Sequence, residues 1–327
     1  MSVLITGGAG YIGSHAVHNL LNLNEKVVIY DNLSTGLKAA VAKEAQFIFG
    51  DIRDGELLAR VMKDHKVESV MHFAAKSVVP ESVSQPLEYY ENNVIGTLQL
   101  LKACQKAAVK EFIFSSSASV YGAAEIVPIK EESPLSPSNP YGFSKLMGEK
   151  MIQDMSQAHG LKYVILRYFN VAGAKKDISN GQRTENATHL IKVAAEAACG
   201  LRENVDVYGD DYKTLDGTGL RDYIDVEDLV EAHSLALKYL RQNGENQILN
   251  CGYGHGFTVL EVLETMKKVS EKDFKIVRKP RRPGDVGQSF AESSKIRKAL
   301  NWQPKYDDLK IICQSAYQWE KTHRAAK

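Results

Sequence analysis

The sequence has no run approaching the roughly 18 apolar residues of a membrane helix. Its four cysteines, Cys104, Cys199, Cys251 and Cys313, form no C-x-x-C pair, so neither a zinc site nor a dithiol redox motif is indicated. Buried free thiols are expected. Charge of one sign is also missing: 41 basic residues face 40 acidic ones, and a net charge of +1 gives no general pull toward nucleic acid or anionic membrane. An anionic ligand must therefore be held by local groups. The opening MSVLITGGAG carries no basic segment before its short apolar run, so a signal peptide is not expected and a reducing, cytoplasmic setting is. His15 and His18 sit three apart without further ligands nearby; they read as helix-surface or packing residues, and no metal is expected.

What is present is an ordinary globular composition, 44% hydrophobic and 25% charged, over 327 residues, enough for a large domain with an appended lobe. The first half alternates short apolar runs with helical patterns: VLIT then Tyr11 to Leu23, KVVIYD then Leu33 to Ala42, QFIFGD then Gly55 to His65. SVMHFAA precedes a long segment through Lys106, and EFIFSSS and KYVILRYFN continue the series. Strands separated by helix-length stretches imply right-handed crossovers and a parallel sheet covered on both faces. The expected fold is α/β, a Rossmann-type doubly wound parallel sheet with a smaller C-terminal α/β substrate lobe. The division falls at 1–173 for the cofactor domain and 174–327 for the substrate lobe, with the chain free to cross back. Helices are expected at Thr188 to Cys199, Val226 to Arg241 and Val259 to Ser270, and ligands in the cleft between the lobes.

VLITGGAGYIG places Gly7, Gly10 and Gly13 after the first strand and at the mouth of the first helix. Such glycines permit a tight turn, close approach of a pyrophosphate to backbone N–H groups, and close helix–strand packing. Asp31 closes the second strand, where a carboxylate accepts both ribose hydroxyls and repels a 2′-phosphate, which favours NAD over NADP. Asp51 ends the third strand and is either a partner of the adenine amino group or a helix N-cap.

In NPYGFSK, Tyr141 and Lys145 follow the helix-start signal Asn139-Pro140, and their spacing puts both on one helix face. A phenol is a poor base at neutral pH unless a neighbouring ammonium and an oxidised nicotinamide stabilise phenolate. Tyr141 would then take a proton from a sugar hydroxyl. Together TGGAGYIG, Asp31, FSSSASVYG and YGFSK resemble the extended short-chain dehydrogenase/reductase family over nearly the whole chain. The resemblance implies catalysis by Tyr141, Lys145 and Ser117, with Ser117 hydrogen-bonding the reacting oxygen and Lys145 the nicotinamide ribose. Ser115 and Ser116 are left as structural.

Sugar-eliminating members carry an Asp–Glu pair where this chain has Ala118 and Ser119, so oxidation followed by re-reduction is the remaining route. HFAAKSVVPESVSQPLEYYENNVIGT, NPYGFSKLMGE, LRYFNVAGA, DGTGLRDYIDV and PRRPGD resemble the nucleotide-sugar epimerases of that family. This implies a tightly held NAD and interconversion of UDP-glucose and UDP-galactose through a 4-keto sugar. By position, the implied NAD contacts are Gly7, Gly10, Tyr11, Ile12, Gly13, Asp31, Asn32, Leu33, Ser34, Thr35, Gly36, Asp51 and Ile52. Phe73, Ala74, Ala75, Ser77, Asn92, Tyr141, Lys145, Tyr168 and Phe169 complete them. The implied UDP-sugar contacts are Ser117, Tyr141, Asn170, His189 and Leu190, with Asp206, Val207 and Tyr208 bordering the uracil. Arg221 and Arg282 face the diphosphate, Asp285 the ribose, and Ser289 the sugar; an arginine's planar fork suits phosphate oxygens. Ser77 stands where some epimerases carry a lysine, and Thr188-His189 replaces paired asparagines. Ser289 replaces a tyrosine that narrows the pocket in some members, and is either a widening that admits 2-N-acetyl sugars or a residue that fits a shifted loop. The resemblance further implies a homodimer formed by helices following Asn92 and including Tyr141. Competing readings are a 4-epimerase for another nucleotide sugar, such as a pentose, and a non-catalytic NAD-sensing protein on the same fold.

Overall fold

The computed structural model describes residues 2–184, 187–282 and 285–325. Seven strands form one sheet in the spatial order Gln247–Cys251, Lys162–Tyr168, Glu111–Ser117, Val67–His72, Ser2–Thr6, Val27–Asp31 and Gln46–Phe49. All six pairings are parallel. The chain begins mid-sheet, runs to one edge, then crosses back to build the other. The order therefore reverses between Ser2–Thr6 and Val67–His72, and a crevice opens at the carboxyl ends of these strands, where open α/β sheets take ligands.

Alternation along each strand sends neighbouring residues to opposite faces. Val3, Ile5, Ile29, Ile113 and Leu166 join one core cluster, while Leu4, Val28, Tyr30, Phe112 and Ile165 join another. Helices Gly55–Asp64 and Gly96–Lys106 cover the second cluster; helices Tyr11–Asn22 and Val226–Arg241 cover the first. The first cluster continues without a break into helices Leu190–Ala198, Val259–Ser270 and Leu309–Ala325 of the substrate lobe. Among the described residues no helix is long and apolar enough to cross a membrane.

Two features differ from the sequence reading. No helix spans Leu33 to Ala42; a single 3-10 turn, Lys38–Ala40, lies there. Asp31 Oδ1 and Asn32 Oδ1 accept from the N–H groups of Leu33 and Ser34 at 2.7 and 3.0 Å, and such Asx turns compete with helix formation. The helix expected from Thr188 begins at Leu190. Helix Val226–Arg241 and strand Gln247–Cys251 return to the seven-stranded layer, a crossing back of the kind that the division at residue 173 leaves open.

Candidate active site

At the mouth of helix Tyr11–Asn22 the backbone itself forms a cradle. Gly7 has φ +75°, and a Cβ there would lie 2.6 Å from the Ala74 nitrogen. A Cβ on Gly13 would lie 2.1 Å from the Gly7 carbonyl oxygen. The helix start carries no capping side chain and no acidic residue in its first turn. Its free N–H groups are thus available to a diphosphate, favoured further by the positive end of the helix dipole. Asp31 holds the loop in place: its Oδ2 accepts from Ala9 N at 2.9 Å and its Oδ1 from Leu33 N at 2.7 Å. Each oxygen retains a second acceptor position, which suits a ribose diol. These residues fit NAD.

Asp51 turns toward Arg53 at 2.8 Å and Asn32 at 3.0 Å, and hydrogen bonds from Arg53 hold its carboxyl down at about 2. The N-cap reading open for Asp51 belongs instead to Asp54, whose side chain accepts from Leu57 N at 3.0 Å.

The crevice opens into a cavity of about 1770 Å³ that extends between the lobes. Of the site residues expected from sequence, all line it except Leu33, Gly36, Asp51 and Val207. Leu33 and Gly36 shape the loop beside Asp31, with a Gly36 Cβ position 2.9 Å from Ala9. Val207 points into the core beneath strand Asn204–Tyr208.

Tyr141 and Lys145 project from the first turns of helix Pro140–His159, capped by Asn139 through Gly142 N at 2.9 Å. Both side chains are buried. Burial raises the Tyr141 phenol above its ordinary pKa, and a hydrogen bond with Ser117 opposes that rise. Burial also lowers the Lys145 ammonium to about 8, against the field of Glu149. The Lys145 nitrogen lies 5.9 Å from the Tyr141 ring centroid and 5.0 Å from that of Phe114, and it donates to the Ser115 carbonyl at 2.8 Å. Ser117, at the end of its strand, donates to Ser119 Oγ at 3.2 Å. Ala118 and Ser119 line the cavity beside it, so no carboxylate occupies either position.

At the far end, His189 and Leu190 open helix Leu190–Ala198, with the His189 ring 3.2 Å from Gln182. Asn170 N donates to the Asp222 carbonyl at 3.0 Å. Arg221 donates to the Val286 carbonyl at 2.7 Å, and Arg282 pairs with Asp285 at 3.0 Å while stacking over Tyr208 at 4.5 Å. Within PRRPGD, Pro283 and Gly284 lie outside the described residues. Ser289 is paired in register with Arg221 and faces the cavity.

The cavity is also lined by Lys76, Tyr223 and Val259, none of which the sequence reading assigned. Tyr223 lies two positions after Arg221, and period-two alternation was a usable signal for it. Lys76 pairs with Glu88 and lies 3.7 Å from Glu81. Val259 is brought there only by tertiary folding.

The sequence model described as the NAD dependent epimerase/dehydratase family matches residues 3–252. A UDP-glucose 4-epimerase from Azospirillum brasilense is 51% identical over 320 residues, covering 98% of this chain and 92% of the relative. A crystal structure of UDP-glucose-4-epimerase from Stenotrophomonas maltophila, with bound NAD and formylated UDP-arabinopyranose, superposes with a TM-score of 0.97 at 38% identity, covering 100% of both chains. The UDP-Glc/GlcNAc 4-epimerase from Campylobacter jejuni is 47% identical with a TM-score of 0.86, covering 98% of this chain and 99% of its own.

Proposed function

The chain belongs to the NAD dependent epimerase/dehydratase family, and from that premise we propose that it interconverts UDP-glucose and UDP-galactose at sugar C4, with NAD as cofactor. The observation that carries this reading is the convergence of Tyr141, Lys145 and Ser117 on one cavity where Ala118 and Ser119 offer no acid for elimination. The chemistry that bound NAD supplies is reversible oxidation at sugar C4, hydride out and hydride back. The rest belongs to the chain's own side chains. Tyr141 takes the 4′-hydroxyl proton and later returns it. Ser117 holds the same oxygen. Lys145 binds the nicotinamide ribose, and its charge lowers the cost of phenolate beside it. Gly7, Gly10 and Gly13 receive the diphosphate of the cofactor, and Arg221 and Arg282 that of the sugar nucleotide, with Arg282 exchanging Asp285 for phosphate oxygens.

The test is product analysis after purified protein meets UDP-galactose with no added cofactor. UDP-glucose is the expected product; inactivity even after NAD is supplied rules the reading out.

A second reading concerns breadth. Ser289 lines the cavity, and a tyrosine in its place would narrow it. We assign to it acceptance of 2-N-acetyl sugars beside the unsubstituted pair. The chain is also taken as a homodimer: Leu87, Ile95, Phe143 and Met147 are exposed apolar side chains on the helical segments Pro86–Lys106 and Pro140–His159, which pack on one another. Cys104, Cys251 and Cys313, buried free thiols, suit the reducing cytoplasm.

A further inference from the structure

The proposed mechanism uses the last of the three serines that close strand Glu111–Ser117 and leaves Ser116 idle, together with a glutamate one turn beyond Lys145. Both are buried, and their contacts converge. Ser116 Oγ donates to Glu149 Oε1 at 2.5 Å. Arg167, from strand Lys162–Tyr168, grips the same carboxylate with Nε at 2.9 Å and Nη2 at 2.6 Å. Arg167 Nη1 donates to the Tyr121 hydroxyl at 3.0 Å, Tyr121 donates to Asn250 Oδ1 at 2.6 Å, and Asn250 Nδ2 donates to the Ile129 carbonyl at 2.8 Å. Ile129 N donates to the Phe290 carbonyl at 2.9 Å, next to Ser289.

Resting on the proposed epimerase reading, we infer that Glu149, gripped by Arg167 and Ser116, is a positioning residue that fixes the pose of the Tyr141–Lys145 pair. The same chain of hydrogen bonds ties that pair to the sugar-pocket wall at Ser289. Side chains four apart share a helix face, so Glu149 and Lys145 move as one body. The carboxylate meets a hydroxyl from one strand and a rigid guanidinium fork from the next, so helix Pro140–His159 can neither slide nor roll against the serine strand end. The ion pair has side chains only 3% and 0% exposed. Desolvating two charges that deeply is costly, and well-packed apolar residues often hold a fold equally well, so bulk stability alone does not account for the pair. The groups facing Lys145 are the Ser115 carbonyl, His72, Tyr141 and Glu149. His72 is kept neutral by burial, its pKa lowered to about 3, so Glu149 is the anion that favours the lysine's charge.

The experiment uses holoenzyme and UDP-galactose turnover. The double variant Glu149→Gln/Arg167→Met removes both charges and leaves no unpaired ion. It is expected to keep its NAD and its KM while kcat falls about tenfold through loss of alignment. The alkaline limb of its kcat–pH profile should also move to lower pH, because Lys145 gives up its proton more readily. A folded, NAD-loaded double variant with wild-type kcat and an unmoved limb overturns the inference. Should it not fold, Ser116→Ala decides alone: kcat lowered about threefold at unchanged KM and NAD content supports the role, and wild-type kcat refutes it. Wild-type protein inactive toward UDP-galactose would count against the epimerase reading, whereas an active wild type with unaltered variants counts only against Glu149.

Discussion

At Tyr141 one hydroxyl carries the argument. Burial works against its ionisation, and the Ser117 hydrogen bond and the Lys145 charge work for it. Tyr141→Phe removes the proton acceptor and leaves the ring in place. Turnover is expected to fall by about 10²- to 10⁴-fold with the absorbance of bound NAD retained, and near-wild-type turnover would dismiss Tyr141 as the base. Ser289→Tyr addresses the sugar. It should abolish conversion of UDP-GlcNAc while sparing UDP-galactose, and a wild type inactive on N-acetyl sugars ends that reading. Placement in the cavity was legible where the residue stands in a motif, as at Asp31, Tyr141 and Lys145. Contacts were not legible where they depend on what lies opposite: Ser115 and Ser116 look alike in sequence, yet the carbonyl of the first holds Lys145 and the hydroxyl of the second holds Glu149.

Elements impose their own constraints, most sharply in the turn between strand Ser2–Thr6 and helix Tyr11–Asn22. Gly7→Ala places a Cβ against the Ala74 backbone at positive φ, a conformation costing an L-residue about 1–2 kcal/mol before any clash is relieved. The expected outcome is a lowered Tm and protein purified without NAD, read by thermal unfolding and by the absorbance of the cofactor. Retained NAD and an unchanged Tm would show that the cradle tolerates a methyl group. The strands of the cofactor half could be read from their apolar runs because both faces of a parallel sheet are covered. The segment Leu33 to Ala42 misled because its apolar spacing suits a helix, while Asp31 and Asn32 divert the first N–H groups into Asx turns and the following turn docks through Leu37 N on the Ala9 carbonyl at 3.1 Å.

For the molecule as a whole, titration of buried groups sets how stability follows pH. Burial lowers His15 to about 4, His72 to about 3 and His233 to about 4, so all three are neutral when folded near neutrality. In the unfolded chain they bind protons near their ordinary pKa of about 6.5, so unfolding takes up protons below that pH and stability falls as pH drops. Asp225, raised by burial to about 7, acts in the opposite sense by one proton. The net expectation is a loss of roughly 2 kcal/mol per pH unit between about pH 6 and 5, measurable by urea unfolding at fixed NAD saturation; a flat profile would contradict it. Association is tested by light scattering during size-exclusion chromatography. A dimer that Leu87→Glu/Phe143→Glu turns into a monomer supports the helical face as its interface, and a monomeric wild type rejects it.

The partner of strand Gln247–Cys251 was not legible, because its pairing with Lys162–Tyr168 spans a long stretch of chain and leaves no local mark. That return of the chain has a bearing on synthesis. A nascent polypeptide that has emerged as far as Tyr168 possesses six of the seven strands and the whole glycine cradle, but not helix Val226–Arg241. The sheet face carrying Ile5, Ile29, Ile113 and Leu166 stays partly wet until translation has passed Arg241, well into the substrate lobe. The cofactor half, though first in sequence, becomes dry only after helix Val226–Arg241, made well after its own sixth strand, has emerged.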